Sequence, residues 1–141
     1  MAVYTKINKG DISFINKQFG IEEIISFQGI KKGIENTNYL LKSKNKKFIL
    51  TIFEKRVSNK EIPFFMKLMD QLNYSKINCP KPLKSNNGSY LIKLKNKTAC
   101  IVSFIQGKDK NKLSSKNCFE VGKIIAEIHH ITKNIKIYRK N

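Results

Sequence analysis

Phe27-Gln-Gly-Ile-Lys-Lys-Gly-Ile-Glu-Asn-Thr-Asn-Tyr-Leu-Leu41 reads as strand, glycine-bearing turn, strand, and the other elements can be placed by reference to it. Gly29 and Gly33 bracket Lys31 and Lys32. Ile25 and Phe27 before the turn, and Tyr39 and Leu41 after it, keep the period of two of half-buried strands. Glycine admits φ > 0 and close backbone approach, and the lysines add positive potential, so such a tip can lay its N–H groups over phosphates. An ordinary solvated hairpin loop has the same glycine spacing. The flanking sequence decides between the two.

Downstream, Lys46-Lys-Phe-Ile-Leu-Thr-Ile-Phe-Glu54 is apolar on both faces, as a central strand should be. Upstream, residues 9 to 19 place Ile12, Ile15 and Phe19 at helical spacing beside Phe14, with Asp11 expected to cap the start and Gly20 the end. Ser58-Asn-Lys-Glu61 has the form of a capping box. The helix it opens, about Lys60 to Asn73, carries Ile62, Phe65, Leu68, Met69 and Leu72 on one stripe and should pack on the sheet. Cys79-Pro-Lys-Pro82 ends helical structure. Strand candidates follow around Leu83, at Ser89 to Leu94 and at Thr98 to Ile105, separated by turns at Asn86-Asn-Gly88 and Lys95-Asn-Lys97.

Polarity rises at Gln106-Gly-Lys-Asp109, which is expected to be a lobe boundary. Ser115 to about Ile131 is then helical, with Phe119, Gly122, Ala126 and His129 along one flank and Val121, Ile124, Ile125, Ile128 and Ile131 widening the apolar surface. So broad a stripe needs contacts on more than one side. The ten residues after Ile131 cannot supply them. The expectation is one unit over residues 1 to 107, with residues 108 to 141 opening a second lobe that the chain does not contain.

The chain has 141 residues, enough for one domain, and a formal net charge of +18. The excess is lysine, spread along the chain and accompanied by much Ile and Asn, residues that A and T alone can encode. Base composition therefore accounts for the charge, and no specific nucleic-acid partner is expected. Cys79, Cys100 and Cys118 are far apart and form no Cys-x-x-Cys pair, so they are expected as reduced, buried thiols and not as a disulfide framework or zinc site. The N-terminus lacks a basic-then-apolar leader, and no apolar run approaches the ~18 residues of a membrane span. A cytoplasmic protein with no membrane partner is expected.

Gly33-Ile-Glu-Asn-Thr-Asn-Tyr39, Phe48-Ile-Leu-Thr-Ile-Phe-Glu54, Pro63-Phe-Phe65, Cys79-Pro-Lys-Pro82, Ala99-Cys-Ile-Val-Ser-Phe-Ile-Gln-Gly107 and Phe119-Glu-Val-Gly-Lys-Ile-Ile-Ala-Glu-Ile-His129 occur in an order that closely resembles bacterial homoserine kinases of the aminoglycoside-phosphotransferase-like superfamily. The resemblance implies an α+β protein-kinase-like N-lobe, an antiparallel sheet with a packed helix, followed by the first helix of a truncated C-lobe. It implies ATP as the bound nucleotide, with the backbone of Gly33, Ile34, Glu35, Asn36 and Thr37 over the triphosphate. Adenine would lie against the strand Val102-Ser-Phe-Ile105, that is Ser103, Phe104 and Ile105 with Val102 before them, the Ser103 carbonyl accepting and the Ile105 N–H donating. The parent reaction implied is transfer of the ATP γ-phosphoryl group to L-homoserine; related folds use choline or other small alcohols. A basic binding module without enzymatic activity is the alternative from another class, but it lacks clustered Arg interleaved with aromatics.

Two departures bear on catalysis. The strand position that normally offers a phosphate-binding lysine is Thr51, and a hydroxyl supplies no charge. Lys31 and Lys32 are the nearest cations in sequence. Glu61, where a lysine-pairing carboxylate would lie, is expected to serve as a helix cap. The superfamily's catalytic carboxylate and its Mg²⁺ ligands belong to a His-Gly-Asp-x-x-x-x-Asn-like loop and a later Asp, and neither occurs here. His129 falls at a packing position. No catalytic or metal-binding residue is therefore assigned, and the chain by itself is expected to be inactive.

Overall fold

The computed structural model describes residues 3–54, 58 and 60–135. Alternation along the quoted stretch produces β1 (Ser26–Gly29) and β2 (Thr37–Lys42), which pair antiparallel from Gly29 opposite Tyr39 to Ser26 opposite Lys42. β3 (Lys47–Ile52) pairs with β2 along its whole length. β4 (Leu91–Leu94) and β5 (Lys97–Ser103) form a second hairpin, and β5 lies against the far side of β3. The single sheet runs β1-β2-β3-β5-β4, every pair antiparallel. β3 is central, as its two-sided apolar sequence requires. The stretch around Leu83 contributes a Pro82–Val102 bridge and no longer strand.

Period-two alternation sends side chains to two different layers. Tyr39, Leu41, Phe48, Leu50, Ile52, Ala99 and Ile101 meet helix α1 (Lys9–Phe19) through Ile12, Ile15 and Phe19. On the opposite face Cys100 and Val102 meet α2 (Ile62–Tyr74) through Ile62 and Met66. Tyr90 hydroxyl donates to Asp70 Oδ2 at 2.6 Å and ties α2 to the start of β4.

The helix boundaries correct two expected caps. Asn8, not Asp11, is the N-cap of α1; its side chain accepts from Asp11 N while the Asp11 carboxylate accepts from Asn8 N. Gly20 closes that helix at φ +55, as expected. The capping box expected at Ser58 does not form: Ser58 Oγ accepts from Lys60 N, Glu61 N donates to the Ser58 carbonyl, and α2 starts at Ile62. Pro63 explains the shift, since its missing N–H suits the first turn and not an interior position. Asn59 lies outside the described residues.

Helix α3 (Ser115–Thr132) is capped by Ser114 and Asn117 acting reciprocally, yet none of its side chains is buried. Its apolar breadth is left open, with Phe119 70% exposed. His129, expected at a packing position, is exposed. The cysteines are free, but only Cys100 is buried; Cys79 is half-buried and Cys118, on α3, is exposed. Burial pushes the Cys100 thiol up to about 12. Residues 136–141 of the expected second unit lie outside the described residues.

Candidate functional site

The turn between β1 and β2 is solvent-facing. Ile30 N donates to Asn38 O at 2.8 Å, and residues 31–35 beyond it are all exposed. Gly33 has φ +116, a conformation that an L side chain resists. The glycine expected to allow close backbone approach is therefore needed where it stands. Gly29 serves a different purpose: a Cβ there would come within 2.8 Å of Val3 Cγ2, so its bareness admits the N-terminal segment.

Leaving the turn, the chain sends Asn36 and Thr37 to different partners. Asn36 Oδ1 accepts from Glu54 N at 3.4 Å. Thr37 is fully buried on the α1 face; its hydroxyl oxygen accepts from Tyr4 N at 2.9 Å and Thr5 N at 3.1 Å and donates to Glu54 Oε1 at 2.6 Å. Only its backbone can face a ligand in the turn.

On the α2 face, Leu40, Ile49 and Val102 are successive cross-strand partners, each half-buried. They make an apolar platform between the glycine turn and the end of β5. Thr51 stands on the same face two residues along β3 and donates to Asn38 Oδ1 at 2.8 Å. Lys32 is not brought to Thr51; it pairs with Asp109 at 3.1 Å, joining the turn's tip to the segment after β5, with both side chains almost wholly in water. Lys31 is likewise exposed.

The end of β5 is held firmly. Ser103 N donates to Lys81 O at 2.8 Å, Ser103 Oγ accepts from Lys81 N at 2.9 Å, and Phe104 N donates to Lys47 O at 3.2 Å. Lys47 Nζ lies 5.7 Å from the Phe104 ring centroid, within cation–π range. Ile105 follows, half-buried. The sequence-expected residues thus collect on two edges of one platform: Gly33 to Asn36 at the turn, and Ser103 to Ile105 at the strand end, with Thr51 between.

Sequence reasoning missed a polar cluster under the turn. Glu54 accepts from Thr5 Oγ1 at 2.7 Å and from Thr37, and it is ion-paired with Lys97, whose Nζ also reaches Thr5 Oγ1 at 2.7 Å. Burial would raise the Glu54 carboxyl pKa, but the hydrogen bonds from Lys97, Thr37 and Thr5 and the Lys97 charge outweigh it and hold the group below its ordinary range. Thr37 and Glu54 both end quoted motifs or lie within them. Nothing in the sequence marked Tyr4, Thr5 or Lys97 as their partners.

Residues 26–139 match the model of the phosphotransferase enzyme family. The chain belongs to that family. Among curated relatives, this phosphotransferase-family chain is 37% identical over all 141 residues to a homoserine kinase of Bartonella tribocorum and 37% identical to one of Agrobacterium fabrum. It spans 44% of the length of each of them. Among solved structures it superposes on spectinomycin phosphotransferase in complex with ADP and spectinomycin, with TM-score 0.71 and 17% identity, over 97% of this chain and 43% of that one. A microcompartment-associated aminopropanol kinase gives TM-score 0.71 at 13% identity, over 94% of this chain and 43% of that one. These likenesses bear out the kinase-like α+β fold. Among the described residues no three His, Cys, Asp or Glu side chains gather into a metal-holding group, and no helix is long and apolar enough to cross a membrane.

Proposed function

We propose that these residues are the nucleotide-binding part of an ATP-dependent kinase whose acceptor is the hydroxyl of L-homoserine. One observation carries the reading: an exposed glycine turn and a braced strand end flank the same half-exposed apolar platform of Leu40, Ile49 and Val102. A flat apolar platform suits a purine ring, and flanking backbone groups suit its edge and its phosphates. The Ser103 carbonyl accepts from the adenine amino group and the Ile105 N–H donates to the ring. Backbone N–H groups of Gly33 to Thr37 cover the phosphates, with the Thr51 hydroxyl beneath. Homology to homoserine kinases supports the acceptor, and ADP in the superposable spectinomycin phosphotransferase supports the nucleotide. The likeness to an aminopropanol kinase favours, as a second reading, another small amino alcohol.

Phosphoryl transfer needs a carboxylate to orient the acceptor hydroxyl and ligands for a metal. We assign neither to the described residues, so the nucleotide is held here while the transfer chemistry belongs to sequence outside them. Residues 1 to 107 act as one unit in this reading, 108 to 141 open the second, and the protein works in the cytoplasm without a specific nucleic-acid partner. The test is calorimetric titration of the 141-residue chain with ADP, followed by a coupled ADP-release assay with ATP and homoserine. Saturable ADP binding without turnover is expected. Absence of binding overturns the nucleotide assignment, and homoserine-dependent turnover overturns the assignment of the chemistry elsewhere.

A further inference from the structure

We infer that Val3, Tyr4 and Thr5 form a strap that sets the position of the glycine turn over the nucleotide phosphates, with Tyr4 as a positioning residue. This rests on the nucleotide reading above. The strap meets the turn at three levels. Val3 packs into the space left by the missing side chain of Gly29, at the turn's entrance. Tyr4 hydroxyl donates to Ile34 O at 3.1 Å, at its tip, one residue past the positive-φ Gly33. The N–H groups of Tyr4 and Thr5 both donate to Thr37 Oγ1, at its exit.

The exit anchor is itself braced. Thr37 and Thr5 share the Glu54 carboxylate, and Lys97 closes the ring by contacting both Glu54 and Thr5. A glycine turn with no such ties samples many conformations, and a ligand must then supply the ordering entropy. Fixing Ile34 O through Tyr4 and fixing Thr37 through the ring leaves the intervening backbone pre-shaped. Tyr4 is itself 56% exposed, so its hydroxyl is spent on the turn and its ring contributes little to the core.

Tyr4→Phe removes one donor and keeps the ring. In the 141-residue chain the variant is expected to weaken ADP about three- to tenfold, the worth of one hydrogen bond, while adenosine, which lacks phosphates, binds as to wild type. Backbone order parameters of residues 31–36, measured without ligand, should fall from rigid values toward about 0.6, with the unfolding midpoint within about 2 °C of wild type. Wild-type order parameters in the variant overturn the strap, as does equal weakening of ADP and adenosine. If wild type itself binds no ADP, the nucleotide reading has failed, and the ligand-free order parameters still decide whether the strap holds the turn.

Discussion

Helices α1 and α3 are built by the same local devices and meet opposite surroundings. Each begins with a reciprocal cap, Asn8 with Asp11 in one and Ser114 with Asn117 in the other, and each carries an apolar stripe at helical spacing. α1 has 11 residues and buries Ile12, Ile15 and Phe19; α3 has 18 and buries none. Capping and periodicity specify that a helix forms and which side is apolar. They carry no information about what that side will touch. For α1 the answer lies in the sheet, from Tyr39 to Ile101, whereas α3 stays largely open, with Ser75 to Ile77 beside Ala126, His130 and Ile131 and none of its own residues buried.

The comparison breaks most visibly under truncation of the apolar stripe. Ile15→Ala should cost about 2–5 kcal/mol of folding stability, because Ile15 is fully enclosed. Ile124→Ala, on a half-exposed α3 position, should change it by under about 0.5 kcal/mol. Urea unfolding of both variants checks this, and equal losses in a chain shown by ultracentrifugation to be monomeric would mean that α3 is packed in solution. Caps sharpen the same contrast more gently. Asn8→Ala should remove about 1 kcal/mol of global stability, whereas Ser114→Ala should lower helical ellipticity without moving the unfolding midpoint.

A smaller effect separates the turn's anchored exit from its exposed tip. The Glu54 carboxyl titrates below its ordinary 4.5 in the folded state. Its ionised form therefore contributes stability that is fully present above the unfolded value and is lost as pH falls through the folded one. Unfolding midpoints from pH 7 to pH 3 should decline less steeply below pH ~4.5 in Glu54→Gln than in wild type; parallel curves would contradict the anchor. Least of all is expected from Lys32→Ala. Its partner Asp109 is 87% exposed, and so open a pair adds little to stability, which a midpoint equal to wild type would bear out.

What the sequence disclosed divides along the same line between local and distant causes. The β1–β2 hairpin, central β3 and the three helices were legible because each declares itself within a dozen or so residues, by alternation, by glycine or by a stripe. The Ser-x-x-Glu pattern predicts a cap at Ser58 and a helix from about Lys60, whereas α2 starts at Ile62, where the ring of Pro63 sets its first turn. The residues flanking the platform were reachable only through resemblance, since their argument rests on backbone groups that any side chain would present. Thr37 opens β2 at the turn's exit, and the burial of its side chain depends on strand parity and on Glu54. Cys118 was expected inside with the other thiols, and it lies outside because α3 is uncovered.

The ring of Thr5, Thr37, Glu54 and Lys97 also orders events in time. Its members are separated by as many as 92 positions, so the ring cannot close until Lys97 has been synthesised and has cleared the ribosome. Chain growth adds about 5–20 residues each second, so for seconds the first residues can hold the turn only through Ile34 and Thr37, without the brace of Lys97. Local helices form in microseconds or less. The brace beneath the glycine turn can therefore be completed only once the first residue of β5 is available, although the turn itself is encoded near the start of the chain.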